Sequence, residues 1–314
     1  MSPRVQFGIA IPQTFVDAAV STSLIREVIL RAEQLGFHSL WVQEETLGSS
    51  LTLDPIELLT YAAAVTHRIR LGTAVLLTAV RGPVHLAKSL ATLDQLSDGR
   101  LIVGVGLGQN VRDYPAYGLS SAQRIARFQQ GIELMRRLWT EPAVTFESPF
   151  WTLEVASLLP KPVQQPHPPI WIGARRPAAL HRAVEVGDGF IGAGASSLAE
   201  FAEAVRILRG VLAARNQDPA LFSISKRVYV AVDRDSRRAE QRLEKWLSAF
   251  YRTPGLATGI AVWGAPAECV TALSHVVAAG ADLIILNPVF DEREQIERLA
   301  QEVIPSLQER LPPF

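Results

Sequence analysis

Eight short apolar runs, each followed by a longer stretch of helical spacing, limit what this chain can fold into more than any other feature of it. They occupy residues 5–11, 39–44, 70–78, 101–108, 170–173, 189–192, 228–232 and 282–286. Unbroken apolar runs of this length suit strands buried on both faces, the condition of parallel strands whose crossover helices cover the sheet. Repeated β-α-β units of that kind either close into a barrel or lie open as a doubly wound sheet, and a count of eight favours closure. The segment 23–35 sets Leu24, Ile25, Val28, Ile29, Ala32 and Leu35 on one helical stripe, and Gly36 ends it. Pro83 and Pro177 stand where a first helical turn tolerates a missing N–H, while Asp98-Gly99 and Gly187 stand where helices stop.

Two stretches interrupt the rhythm. Between Trp139 and Pro169 a proline-rich excursion carries a predicted hairpin, 144–146 against 150–153. Residues 251–266, with Gly255 and Gly259, read as a long loop, either a lid or a surface connector. The 314 residues therefore read as one domain. If the sheet closes, the expected architecture is an α/β barrel with an insertion between strands four and five and an extended connection between seven and eight.

Composition removes several function classes. The chain is 48% hydrophobic and 20% charged, which excludes disorder, and its 31 basic residues balance 31 acidic ones. Binding to nucleic acid or an anionic membrane needs a concentrated basic face, so neither partner is expected. No apolar run approaches the roughly 18 residues that span a bilayer, and the first residues lack the regions of a signal peptide, so the cytoplasm is the expected location. Cys269, the single cysteine, sits in a helix-like stretch and reads as a small buried hydrophobe.

The six histidines are scattered without metal-ligand spacing, so no protein-built metal site is expected. No phosphate loop of the G-x-x-x-x-G-K-[ST] type and no G-x-S-x-G elbow is present. Gly104, Gly106 and Gly108 miss the dinucleotide fingerprint. Alternating glycines at a strand end instead bare the backbone to a flat ring, or serve close packing at a barrel corner.

Gln43, Glu44 and Glu45 end the second strand. Two adjacent carboxylates are costly to bury unpaired, so Glu44 is a candidate acid/base group at the barrel mouth, or one of a solvated pair. Gly173-Ala174-Arg175-Arg176-Pro177 opens a helix after strand five and joins free backbone N–H groups to two guanidinium groups, an anion-receptive turn unless the arginines are merely solvated. Strand six ends in Gly192-Ala193-Gly194-Ala195-Ser196-Ser197, a second such turn with a serine able to cap the next helix. Lys88, Lys161, Lys226 and Lys245 do not obviously fall at inward strand ends, which gives a Schiff-base aldolase little support.

These residues together resemble the luciferase-like monooxygenase family, the flavin- or coenzyme F420-dependent oxidoreductases built on a TIM barrel. The resemblance covers nearly the whole chain. It is carried by Ala32-Glu33-Gln34-Leu35-Gly36-Phe37, Leu71-Gly72-Thr73-Ala74-Val75, and Leu96-Ser97-Asp98-Gly99-Arg100 leading into Gly104-Val105-Gly106-Leu107-Gly108. Further on, Pro160-Lys161-Pro162-Val163-Gln164, Pro168-Pro169-Ile170-Trp171-Ile172-Gly173 and Gly187-Asp188-Gly189-Phe190 continue it.

The resemblance implies a ring lying across the mouth against strands one to four, beside Gly8, Ala74, Val75, Gly106 and Gly108. It implies a phosphate held by Gly173, Ala174, Arg175, Arg176 and Gly194, a non-prolyl cis peptide at Ala74-Val75, and a homodimer. The family's deazaflavin members commonly show Asp-His where this chain has Glu44-Glu45, and some place glutamate where it has Gln109. A histidine shuttle and that glutamate's acid/base role therefore do not transfer, and Glu44 and Gln109 remain as polar control. The proline-rich approach to strand five resembles the deazaflavin branch, so the expected reaction is hydride transfer between coenzyme F420 and a small organic substrate. The alternatives are an FMN-dependent monooxygenase fed by a separate reductase and a non-catalytic flavin- or phosphate-binding barrel.

Overall fold

A computed structural model describes residues 5–16, 19–108 and 111–310. Its eight parallel strands are β1 (Gln6–Ala10), β2 (Ser39–Val42), β3 (Arg70–Thr73), β4 (Leu101–Gly106), β5 (Ile170–Gly173), β6 (Gly189–Gly192), β7 (Ser223–Val232) and β8 (Leu283–Asn287). Each pairs with the next, and β8 returns to β1 with Ile284 opposite Phe7, so the sheet closes on itself. Closure leaves no barrel strand with a bare edge.

Helices pack around the cylinder, among them α1 (Thr22–Gln34), α2 (Pro55–Val65), α3 (Pro83–Leu96), α4 (Arg124–Thr140), α5 (Pro177–Val186), α6 (Leu198–Ala214), α7 (Ser236–Tyr251) and α8 (Pro266–Ala278). Their starts follow local chemistry. Ser21 caps α1 by accepting the Leu24 N–H at 3.3 Å, and Asp54 caps α2 by accepting the Ile56 N–H at 2.8 Å with Pro55 next in line. The predicted stripe of α1 buries Ile25, Val28, Ile29 and Ala32, with Leu24 and Leu35 half-buried against the same core.

Inside the cylinder, Trp41 and Trp171 stack with centroids 5.6 Å apart, in a cluster with Ile102, Ile191, Leu283 and Ile285. The indole of Trp41 fits because Gly8 and Gly72 flank it; a Cβ on either glycine would fall 2.4 to 2.5 Å from the ring. Truncating such a buried tryptophan to alanine costs about 3–5 kcal/mol.

Several expected boundaries move. β7 begins at Ser223 rather than 228, because Ser225 and Lys226 lie in the strand yet bond sideways to the neighbouring β6 region. The run 70–78 is split by a cis peptide at Ala74-Val75, as the resemblance implied, and Leu76–Leu77 resumes pairing with β4. The stretch 251–266 is not a plain loop. It holds a helical turn, Ala257–Ile260, and a strand, Ala261–Gly264, that pairs in parallel with Tyr229 to Val232 of β7. The excursion between β4 and β5 carries an antiparallel hairpin, Val144–Glu147 with Thr152–Ala156. Among the described residues no helix is long and apolar enough to cross a membrane.

Candidate active site

The carboxyl ends of β1, β2, β3, β7 and β8 surround a small cavity open to solvent. Ala10, Trp41 and Ala74 form its apolar base, Gln13, Gln43, Arg227 and Asn287 its polar wall, and Trp246 and Glu292 stand at its side. This is the end of a parallel barrel where functional groups gather, because loops there vary without disturbing the strands.

The wall is a connected hydrogen-bond network. Gln13, itself buried, donates to the carbonyls of Gln43 and Leu53 at 2.7 and 2.6 Å and accepts the Gln43 N–H at 2.8 Å. The Gln43 amide donates to Thr14 Oγ1 and accepts from Arg227 Nη1. Asn287, with its amide oxygen turned toward Arg227, accepts from Nε at 3.2 Å and Nη2 at 2.6 Å. The same guanidinium lies 5.1 Å from the Tyr229 ring centroid, and the Tyr229 hydroxyl meets that of Tyr251 at 2.8 Å. Burial and the neighbouring phenol push the Tyr251 hydroxyl well above its usual pKa, which keeps that phenol neutral. Arg227 is thus a positive charge fixed in the cavity wall. The sequence reading missed it, although a Lys226-Arg227 pair inside an apolar run was the available signal.

The predicted carboxylates lie elsewhere. Glu44 accepts from Arg81 Nε at 2.7 Å, from the Leu77 N–H at 2.6 Å and from Thr46 at 3.1 Å, and its side chain is only 1% exposed. Arg81 also reaches Asp54, at 2.6 Å, so this acid ties the segment after the cis peptide to the start of α2. Glu45 accepts from Thr52 at 2.9 Å. Neither glutamate lines the cavity. Gln109 lies outside the described residues.

The glycines differ from expectation as well. Gly8 makes room for Trp41; a Cβ on Gly106 would meet Val75 at 2.7 Å, and one on Gly108 would meet Leu77 at 2.9 Å. The Val75 side chain also covers Gly173, at 3.0 Å. These positions therefore accommodate neighbouring side chains rather than presenting bare backbone, the packing alternative that the spacing left open. Of the predicted ring-side residues, Ala74 is the one that lines the cavity.

The two anion-receptive turns are unlike each other. The first turn of α5 has no side-chain cap, and Arg175 and Arg176 beside it are exposed. Arg175 pairs with Glu200 at 2.9 Å, whereas Arg176 has no partner among the described residues. The start of α6 is closed by a reciprocal capping box of Ser197 and Glu200. Gly194 packs on Tyr229, 3.0 Å from where a Cβ would lie. Buried Lys226 holds this second turn by donating to the Ala193 carbonyl and, at 2.9 and 3.0 Å, to the Ser196 carbonyl and hydroxyl. Burial lowers its ammonium pKa to about 7. Cys269 is buried, with its thiol pushed up to about 12 by desolvation, in keeping with a packing role.

Comparison with known proteins fits this geometry. A family model described as luciferase-like monooxygenase matches residues 5–262. An uncharacterized protein of Mycobacterium tuberculosis is 36% identical over 190 residues, 60% of this chain; the match spans 66%, just under two thirds, of that relative. An F420-dependent glucose-6-phosphate dehydrogenase of Amycolatopsis mediterranei is 26% identical over 316 residues, covering 90% of this chain and 93% of its own. Among solved structures, the monooxygenase RslO1 from Streptomyces bottropensis superposes with a TM-score of 0.82 at 28% identity, over 96% of this chain and 99% of that one.

Proposed function

The chain belongs to the luciferase-like monooxygenase family, and from that premise we propose that it binds coenzyme F420 and moves a hydride between this deazaflavin and a small organic substrate at the mouth of the barrel. The observation that carries the reading is the cavity at the strand ends, with an apolar base and a fixed cation in its wall. Half-buried Ala74, on the apolar floor of the cavity, offers a planar ring a small side chain to lie over, and the uncapped start of α5 with Arg176 beside it offers a phosphate open N–H groups and a guanidinium. The chemistry of the residues present therefore suits each end of the group taken separately.

When bound, the deazaflavin supplies a two-electron hydride donor or acceptor. The chain's own part is to bind, orient and exclude water. Arg227, braced by Gln43 and Asn287, keeps a positive charge where a substrate oxygen of partial negative charge is favoured. Trp246 closes part of the cavity wall with apolar surface.

Anaerobic absorbance titration with F420 and then with FMN tests the reading. Saturable F420 binding, followed by a redox change on adding small alcohols, aldehydes or enones, is the expected result. Binding of neither cofactor overturns it, and tight binding without turnover across that panel marks a barrel that only binds. A second reading, an FMN-dependent monooxygenase supplied by a separate reductase, is favoured by the 28% identical monooxygenase. Preferential FMN binding with oxygen-dependent turnover would establish it instead.

A further inference from the structure

Nearly every polar side chain around the cavity is already engaged. Gln13 and Gln43 use both ends of their amides, and Asn287 is turned to Arg227. Glu292 differs. It lies in the first turn of the helix Glu292–Arg298 that follows β8, and it lines the cavity. Apart from its own backbone N–H, its carboxyl has no hydrogen-bond or ion-pair partner among the described residues.

The charges facing Glu292 are committed to one another. Asp291 is paired with Arg242 of α7, whose guanidinium also sits 4.0 Å from the Phe290 ring centroid. Arg293 is paired with Glu27 of α1, Asp233 at the end of β7 with Arg238, and Arg227 is bound to the two amides. Burial, with Asp291 next to it, pushes the Glu292 carboxyl above the usual carboxylate range, against the opposing pull of its own N–H and of the Arg242 and Arg293 charges. A carboxyl on a residue that lines a cavity, bonded to nothing but its own N–H and holding its proton more tightly than usual, is suited to proton exchange with a ligand there.

We propose that Glu292 is the catalytic residue that exchanges a proton with the substrate oxygen in this cavity, which makes the substrate class a small alcohol and its carbonyl counterpart. The assignment rests on the hydride-transfer reading above. In the oxidising direction the carbinol C–H bond breaks and its electron pair leaves with hydrogen as hydride to the deazaflavin. The O–H bond breaks and its proton goes to the Glu292 carboxylate, and the C=O double bond forms. The alcohol is oxidised by two electrons and the deazaflavin reduced by two. The proton leaves to solvent through the open mouth, and the reverse reaction returns it.

The test compares wild type with Glu292→Gln, using propan-2-ol and cyclohexanol as alcohols. F420 affinity should stay within about twofold, while kcat falls about 100-fold or more, the ordinary scale of general acid–base catalysis. In wild type kcat/KM should rise with pH as the carboxyl ionises, and the variant should lose that limb. A kcat within about threefold of wild type, with the limb intact, overturns the proposal.

A second measurement uses the protein without cofactor, following tryptophan fluorescence against pH, since Trp246 lines the same cavity. An inflection above the ordinary carboxylate range that disappears in Glu292→Gln supports the assignment; no difference between the two proteins overturns it. If wild type fails to bind F420, the hydride-transfer reading fails, and the fluorescence titration still decides whether Glu292 is a free, proton-exchanging group.

Discussion

Glu44 and Glu292 stand on the rim of the same barrel, one just after β2 and the other just after β8, and their surroundings could hardly be less alike. Glu44 accepts three hydrogen bonds, one from a guanidinium, and its side chain is almost wholly covered. Glu292 lines the cavity and, among the described residues, has no hydrogen-bond or ion-pair partner beyond its own N–H, with Arg242 and Arg293 acting on it only through their charge. Position at a strand end therefore says little about whether an acid can react. What decides is how many donors already hold it: a carboxylate that clamps two segments together cannot release them to take up a proton without loosening the fold.

The largest effect that would sharpen this contrast is on stability. Glu44→Ala should cost about 2–3 kcal/mol, below the usual loss for a fully buried pair because Arg81 keeps Asp54. Urea denaturation checks it, and a double-mutant cycle with Arg81→Ala should show strong coupling. An unchanged midpoint would mean that the clamp is no clamp.

The same reasoning divides the two arginines at the start of α5. Arg176→Ala should weaken cofactor binding about tenfold or more, since a charge-assisted hydrogen bond is worth about 1.5–3 kcal/mol. Arg175, already drawn to Glu200, should change affinity by less than about threefold when replaced by alanine. Equal losses from the two variants in the F420 titration would erase the distinction.

The smallest expected effect runs opposite to that of Glu44. The folded pKa of Glu292 is raised, so between the unfolded value and the folded one the native state binds more protons, and stability falls as pH rises through that window. Glu292→Gln should therefore gain stability relative to wild type as pH rises through the carboxylate range, and lose that advantage on the acid side of it. Urea midpoints on the two sides of that range report it, and a loss at the higher pH would place Glu292 with Glu44.

Seven of the eight barrel strands announce themselves as apolar runs because both their faces are buried. β7 hides its first half because Ser225 and Lys226 satisfy themselves against the β6 region, something no hydropathy pattern reveals. The strand Ala261–Gly264 was illegible for a different reason: four residues in a glycine-bearing stretch acquire their structure from the partner they pair with.

The site shows the same limit. A glycine records that a side chain is missing but not whose side chain fills the gap, and beside Gly8, Gly106 and Gly108 the space a Cβ would take is used by Trp41, Val75 and Leu77. The cis peptide at Ala74-Val75 was readable only through family resemblance. Arg227 could have been found from the two-residue alternation of an inward strand face. Glu292 could not, since Asp291-Glu292-Arg293-Glu294 has the look of any solvated helix start.

Lys226 and Arg227 are consecutive on one pleated strand, so they point to opposite sides of the barrel wall. The first grips the turn before α6 from outside, and the second braces the cavity from within. They behave as the two heads of a single rivet. The turn before α6 and the cavity wall thus hang on adjacent residues of one strand, so the backbone that carries the outer grip is the backbone that carries the inner brace.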